Sequence, residues 1–241
     1  MLRIRGLTVG YGGEPAIEAI DLDVTAGEFV SLVGPSGSGK TSILRAITRL
    51  VQPQGGTIGL DLPASDIGFL FQDDALLPWR TVRRNVALGL RIRGLARAAA
   101  EEKAFHWLSL MGLDQFGDRY PRQLSGGQRK RAAIAQVLAL QPRLLLMDEP
   151  FASLDAIVRL RITEELLGWV ERERLTVLLV THDLEEAISL SDVVYVLSQG
   201  PRAAIRARHI VPIERPRHAL ESRGHVLFGP LRQRLWDDLS Q

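Results

Sequence analysis

One stretch of the chain, Gly34-Pro35-Ser36-Gly37-Ser38-Gly39-Lys40-Thr41, carries the residue types and spacing of a phosphate-binding loop. Glycines at this density let successive backbone N–H groups point inward and form a nest for phosphate oxygens. A helical pattern begins at Ser42, so the positive end of a helix faces the same anion. Lys40 would reach the β- and γ-phosphates as a point charge, and the Thr41 hydroxyl would ligate Mg²⁺. The chain holds three lysines, Lys40, Lys103 and Lys130, against 27 arginines, which makes a lysine at this position hard to read as a passive choice. The loop predicts that the chain binds a nucleoside triphosphate.

Further acidic, amide and imidazole groups can serve the same chemistry. Asp148 ends the apolar run Leu144-Leu145-Leu146-Met147 and is expected beside the loop, holding Mg²⁺ directly or through water. Glu149 follows it and can polarise an attacking water as general base. His182, two residues beyond the strand expected over 175–180, is placed for a γ-phosphate contact. Gln72, just after Gly68-Phe69-Leu70-Phe71, can ligate Mg²⁺ or its water through the amide oxygen. Alone it would read as a loop glutamine.

These groups need strands that end together at one edge. Phe29-Val30-Ser31-Leu32-Val33 is the apolar strand that feeds the loop. Residues 2–9 and 17–24 alternate and read as half-buried antiparallel strands. Short strands are expected near 57–60 and 67–71, with Pro53-Gln54-Gly55-Gly56 stopping the first helix. Helical spacing runs over 81–90 and 96–111, giving a mostly helical insertion over about 78–138. A further helix is expected up to about Leu140. Asp155 is a natural N-cap for an amphipathic helix over 156–172, whose apolar positions include Ile157, Leu160, Leu167 and Val170. A strand over 175–180, a helix over 184–190 and a strand over 193–197 follow. After about Pro212, the chain reads as a short arginine-rich helical tail. Strands alternating with helices predict an α/β fold: a mainly parallel sheet, an antiparallel β part at the N-terminus and a helical lobe, all in one domain over 1–241.

Composition excludes several classes. With 241 residues, 46% of them hydrophobic, the chain can bury a sizeable core. Cysteine is absent, so disulfides and thiolate metal sites are excluded. The net charge is only +2 and the arginines are dispersed, so no nucleic-acid partner is expected. Met1-Leu2-Arg3-Ile4-Arg5 lacks a signal-peptide core, and no apolar run is long enough to span a bilayer. A soluble intracellular protein is expected, reaching a membrane only through a partner.

Leu124-Ser125-Gly126-Gly127-Gln128 matches a signature that few other phosphate-loop proteins carry. With the motifs above it makes the chain, from Tyr11 to about Gly200, resemble the ATP-binding subunit of an ABC transporter. The resemblance implies that Tyr11 stacks on adenine, that Gly34–Thr41 is the Walker A loop and that Gln72 belongs to the Q-loop. It likewise implies that Asp148 and Glu149 are the Walker B aspartate and catalytic glutamate, that Ser153-Leu154-Asp155 is the D-loop and that His182 is the switch histidine. Ser125, Gly126 and Gly127 open a helix, a second anion-binding terminus. In the family this terminus, with Gln128, faces the phosphate loop of a second ATPase subunit, so that a two-fold dimer sandwiches two ATP molecules.

Phe71-Gln72-Asp73-Asp74-Ala75-Leu76-Leu77-Pro78-Trp79-Arg80 resembles the subunits of nitrate, sulfonate and taurine importers. Leu76, Leu77, Pro78 and Trp79 are candidates for a groove that receives a coupling helix of the permease, or for plain packing of the helical lobe. The resemblance implies ATP and Mg²⁺ as cofactors, permease partners, a substrate-binding protein outside the membrane, and a position on the cytoplasmic face. A soluble ATPase acting on ribosomes or DNA and the ATPase subunit of an exporter remain alternatives. The first usually carries two cassettes or a long coiled-coil insertion, and this chain has neither.

Overall fold

A computed structural model describes residues 1–152 and 154–240. Two sheets carry the architecture. Strands β1 (Leu2–Gly10), β2 (Pro15–Val24) and β4 (Gly55–Leu60) form an antiparallel sheet in the order β2-β1-β4. Strands β3 (Phe29–Val33), β5 (Ile67–Leu70), β6 (Leu144–Asp148), β7 (Thr176–Thr181), β8 (Val193–Leu197) and β9 (Ile205–Ile210) form the larger sheet, in the order β5-β6-β7-β3-β8-β9. The pairs among its first five strands are parallel; β9 closes the edge antiparallel to β8.

The central strands read as unbroken apolar runs because both of their faces are covered. Val30, Leu32, Leu144, Leu146, Leu178 and Val180 pack towards the small sheet and helix α1 (Lys40–Ile47). Their neighbours Phe29, Leu145, Met147, Val177 and Leu179 pack on the opposite face. That face is covered by α2 (Val82–Ile92), α3 (Arg97–Leu110), α4 (Gly126–Leu138) and α5 (Ala156–Glu173). A third apolar cluster joins β8 to α6 (Leu184–Leu190) and α7 (Phe228–Ser240).

Four expectations change on the structure. Gly55 and Gly56 do not merely end the first helix; they begin β4, where Gly55 pairs with Thr8. Strand β9 was absent from the sequence reading, because Ile-Arg-Ala-Arg-His-Ile alternates with charged groups on an exposed edge. Ile157 is 82% exposed, whereas Leu167 and Val170 are buried, so the buried stripe of α5 starts a turn later than the apolar pattern suggests. The stretch after Pro212 is helical only in a short 3₁₀ turn at Glu221–Gly224 and in α7.

The irregular run before α7 is fastened by charge. The Asp192 carboxylate accepts from the Phe29 backbone N–H at 2.8 Å, from Arg215 Nε at 3.1 Å and from buried Arg217 Nη1 at 2.8 Å. Burial raises the Asp192 pKa, but these donors outweigh it and hold the group below its ordinary value. Removing one partner of such a buried pair leaves the other charge uncompensated. Asp192→Ala is therefore expected to lose about 3 kcal/mol of unfolding free energy by urea titration, with Arg215→Ala milder because Arg217 still pairs the Asp192 carboxylate.

Candidate functional site

Three strands end level at the carboxyl edge of the large sheet. The register pairs Val33 of β3 with Thr181 of β7, and Asp148 of β6 with Val180 of β7. The loops that follow these strands therefore share one edge, where ligands of such sheets bind. They frame a cavity of about 740 Å³, lined among others by Tyr11, Ser36, Gly37, Gly39, Lys40, Thr41, Ser42, Gln72, Asp148 and Glu149.

The loop from Gly34 to Gly39 wraps the Lys40 side chain. The Lys40 ammonium donates to the Gly34 and Pro35 carbonyls, each at 2.8 Å, and lies 3.5 Å from Ser38 Oγ. Burial lowers its pKa, while the Glu149 and Asp148 charges act in the opposite direction. Gly39 caps α1 with φ at 81°, and a Cβ there would meet Ile17 Cγ2 at 2.5 Å, so the loop needs glycine at this turn. The Thr41 hydroxyl donates to Asp148 Oδ1 at 3.0 Å. Burial raises the Asp148 pKa against that hydrogen bond. A hydroxyl and a carboxylate joined beside a phosphate nest form a hard oxygen donor set of the kind that suits Mg²⁺. No group of three or more His, Asp or Glu side chains that could hold a metal ion occurs among the described residues.

Glu149 sits where the chain leaves β6. Its φ of 41° lies in the left-handed region, and its N–H still donates to the Val180 carbonyl at 2.9 Å. The carboxylate faces His182 Nδ1 at 3.1 Å. His182 is not among the cavity-lining residues; it stands behind Glu149, more than half exposed. Tyr11 stands at the cavity mouth, 58% exposed, with its hydroxyl 3.0 Å from Ser42 Oγ. Gln72 also lines the cavity.

Other sequence-selected groups lie outside this cavity. Ser125 caps α4 by accepting from the Gln128 N–H at 3.3 Å, and Gln128 Oε1 accepts in return from the Ser125 N–H at 2.9 Å. Neither residue lines the cavity, nor does Gly126 or Gly127. A Cβ on Gly127 would meet Val158 Cγ1 at 2.8 Å, so the start of α4 is seated against the first turn of α5. Asp155 caps that helix by accepting from the Val158 N–H at 3.0 Å. Ser153 lies outside the described residues. Of the loop candidates, Leu76 packs on the core and Leu77 is fixed by buried Asn85, whereas Trp79 projects with 71% exposure.

Sequence reasoning overlooked Arg45 and the Arg159–Asp183 ion pair. Arg45 lines the cavity one helical turn after Thr41 and acts on Asp148, and that i,i+4 spacing was a usable signal. Arg159 on α5 reaches Asp183 at 3.5 Å, a pairing that only the tertiary fold creates. Asp183 also caps α6 by accepting from the Glu185 and Glu186 N–H groups. Burial pushes Glu186 up from 4.5 to about 7, partly offset by a hydrogen bond with Thr181.

A sequence pattern described as ABC transporter matches residues 17–152. An ATP-binding protein of Brucella abortus biovar 1 is 41% identical over 98% of this chain and 92% of its own length. The taurine import ATP-binding protein TauB of Pseudomonas putida is 44% identical over 83% of this chain and 79% of its own. The nitrate import ATP-binding protein NrtD of Synechocystis is 44% identical over 79% of this chain and 73% of its own. Among solved structures, a bacterial ABC transporter cassette in dimeric form superposes with a TM-score of 0.79 at 31% identity, covering 89% of this chain and all of that one.

Glu186 yields a pH prediction. Its folded pKa lies above the unfolded value, so its contribution to stability is complete below about 4.5 and is lost as pH rises to about 7. Glu186→Gln should remove that loss, melting above the wild type at pH 8 while the two converge near pH 4.5, as read by a melting-temperature series. A phosphate loop wrapped on its lysine, an Asp148–Thr41 pair beside it and relatives along nearly the whole chain agree: this protein belongs to the ABC transporter family, as an ATP-hydrolysing cassette.

Proposed function

We propose that this chain energises import of a small oxyanion or sulfonate by hydrolysing ATP on the cytoplasmic face of a membrane, bound to permease subunits. The site observation behind the hydrolytic reading is the 3.1 Å approach of His182 to Glu149, beside a cavity with Lys40 and the Asp148–Thr41 pair on its wall. The substrate class draws on the identity with the taurine and nitrate import subunits. Among the described residues no helix is long and apolar enough to cross a membrane, which suits attachment through a permease. A substrate-binding protein on the outer side would complete the system.

In this reading, Tyr11 stacks on adenine, and Gly34, Pro35, Ser36, Gly37, Ser38 and Gly39, with Ser42, cradle the phosphates. Lys40 exchanges its loop carbonyls for β- and γ-phosphate oxygens. Thr41, Asp148 and Gln72 would hold Mg²⁺, which would supply charge neutralisation. Glu149 takes the proton of the attacking water as it adds in line to the γ-phosphorus, and ADP departs with the bridging oxygen. His182 orients the Glu149 carboxylate and contacts the γ-phosphate. Developing charge on the phosphoryl oxygens meets Lys40 and the loop N–H groups.

Ser125, Gly126, Gly127 and Gln128 offer a helix start outside the lining of the chain's own cavity, and they serve the ATP of a second copy. Asp155 and exposed Ile157 flank Val158, against which Gly127 is seated, and in this reading that copy meets them there. Residues 78–138 act as the helical part of one cassette, followed by a short tail over 212–241. Exposed Trp79 is the natural contact for the permease.

Glu149→Gln is expected to keep ATP affinity while turnover falls by about a hundredfold or more and the ATP-bound dimer accumulates on size exclusion. Wild-type turnover would sink the base assignment. Lys40→Ala should weaken ATP binding itself, by about tenfold or more in equilibrium titration with a fluorescent ATP analogue. Gentle purification from native membranes tests the transport reading: co-purifying multi-span protein supports it, and ribosomes or DNA in its place would overturn it.

A further inference from the structure

Of the three lysines, Lys40 belongs to the phosphate loop and Lys103 is exposed on α3. Lys130 is 1% exposed, among the largest fully buried side chains of the molecule, and the chemistry above gives it no role. It lies on α4, two residues past Gln128, and crosses to the segment that holds Gln72. Its ammonium donates to the Gln72 carbonyl at 2.9 Å and to the Phe71 carbonyl at 3.2 Å, with Asp74 Oδ1 at 3.7 Å. Beside it, Arg129 Nε donates to Asp74 Oδ2 at 3.2 Å while its Nη1 holds the Leu124 carbonyl at 2.8 Å.

The segment from Phe71 to Leu76 depends on these contacts. β5 ends at Leu70, and among the described residues no backbone–backbone hydrogen bond leaves 71–76. The next main-chain anchor is the Leu77 N–H on Asn85 Oδ1, at 2.7 Å. A compact ammonium with three donors suits two converging carbonyls and a carboxylate, where the planar guanidinium fork of arginine presents its donors in fixed directions. That accounts for lysine here in a chain that otherwise prefers arginine. Burial lowers the Lys130 pKa, and the Asp74 charge opposes this, so the ammonium and its counter-charge belong together.

We propose that Lys130 is a positioning residue for ATP hydrolysis: it clamps the Phe71 and Gln72 carbonyls to α4, so that the helix opening at Ser125–Gln128 sets where the Gln72 side chain stands in the nucleotide cavity. The clamp rests on the role given to Gln72 above. It makes the signature helix and the Gln72 loop one mechanical piece, so that a shift of α4 on engaging a second copy's nucleotide is carried to the chain's own site.

The test uses the full-length protein and three variants: Lys130→Met, Gln72→Ala and the double. Lys130→Met is expected to lower kcat by about tenfold with KM for ATP within about twofold, and to leave ATP affinity without Mg²⁺ unchanged. Amide hydrogen exchange should quicken over 71–76 and stay unchanged in β3 and β6. The double variant should turn over no more slowly than Gln72→Ala, since both changes remove one function. Multiplying losses in the double, or wild-type turnover in Lys130→Met beside a slow Gln72→Ala, would overturn the clamp. Wild-type turnover in Gln72→Ala would instead sink the Gln72 assignment on which the clamp rests. Should Lys130→Met not fold, Asp74→Asn removes the counter-charge, and the same split is expected at about threefold. Wild-type turnover and exchange in that variant would overturn the proposal.

Discussion

Parallel pairing of β6, β7 and β3 fixes the distance between groups that are far apart in sequence. Because Val33 and Asp148 both register on the end of β7, the phosphate loop and the acidic pair emerge at one height. The Thr41–Asp148 hydrogen bond spans 107 residues of sequence and follows from that register. A slip by one residue would turn Asp148 to the other face of the sheet and part it from the loop. Both faces of these strands are buried against separate clusters, which makes any slip costly. The small antiparallel sheet and α1 cover one face, and the helices α2 to α5 cover the other. The site is the exposed end of an otherwise closed sandwich.

Legibility from the sequence tracked how local each feature is. The strand, loop and helix around Gly34–Thr41 are contiguous, so the pattern states its own context. Asp148 and Glu149 were readable because an apolar run ends at them. Strand β9 was not, since three of its six residues are charged or titratable and it is stabilised mainly by pairing with β8. Ile157 fits the apolar period of α5 but sits on the outward side of its first turn, a placement that only the tertiary fold decides. The Arg159–Asp183 pair, the contact of Gly127 with Val158 and the setting of Lys130 join distant segments, and no spacing rule announces them.

The structure separates stiff from yielding contacts. β3, β6 and β7 are locked by ladder hydrogen bonds and buried branched side chains. The Gln72 loop and the start of α5 are held instead by side-chain hydrogen bonds and ion pairs, and the Glu149 turn by isolated backbone bonds around one left-handed residue. Such contacts rearrange at lower cost than a ladder does. These replaceable fastenings ring a rigid edge. The C-terminal run is also fastened through side chains, with Asp192 tying Arg215 and Arg217 to the Phe29 N–H of β3.

The preference for arginine has a practical side. Lys40 and Lys130 are enclosed, and the α-amino group of Met1 lies 3.6 Å from the Asp61 carboxylate. Lys103, on the outer surface of α3, is the one lysine side chain open to solvent. An amine-directed dye or surface linker applied to the folded protein would attach chiefly there. Molecules tethered that way would share a single attachment point on α3.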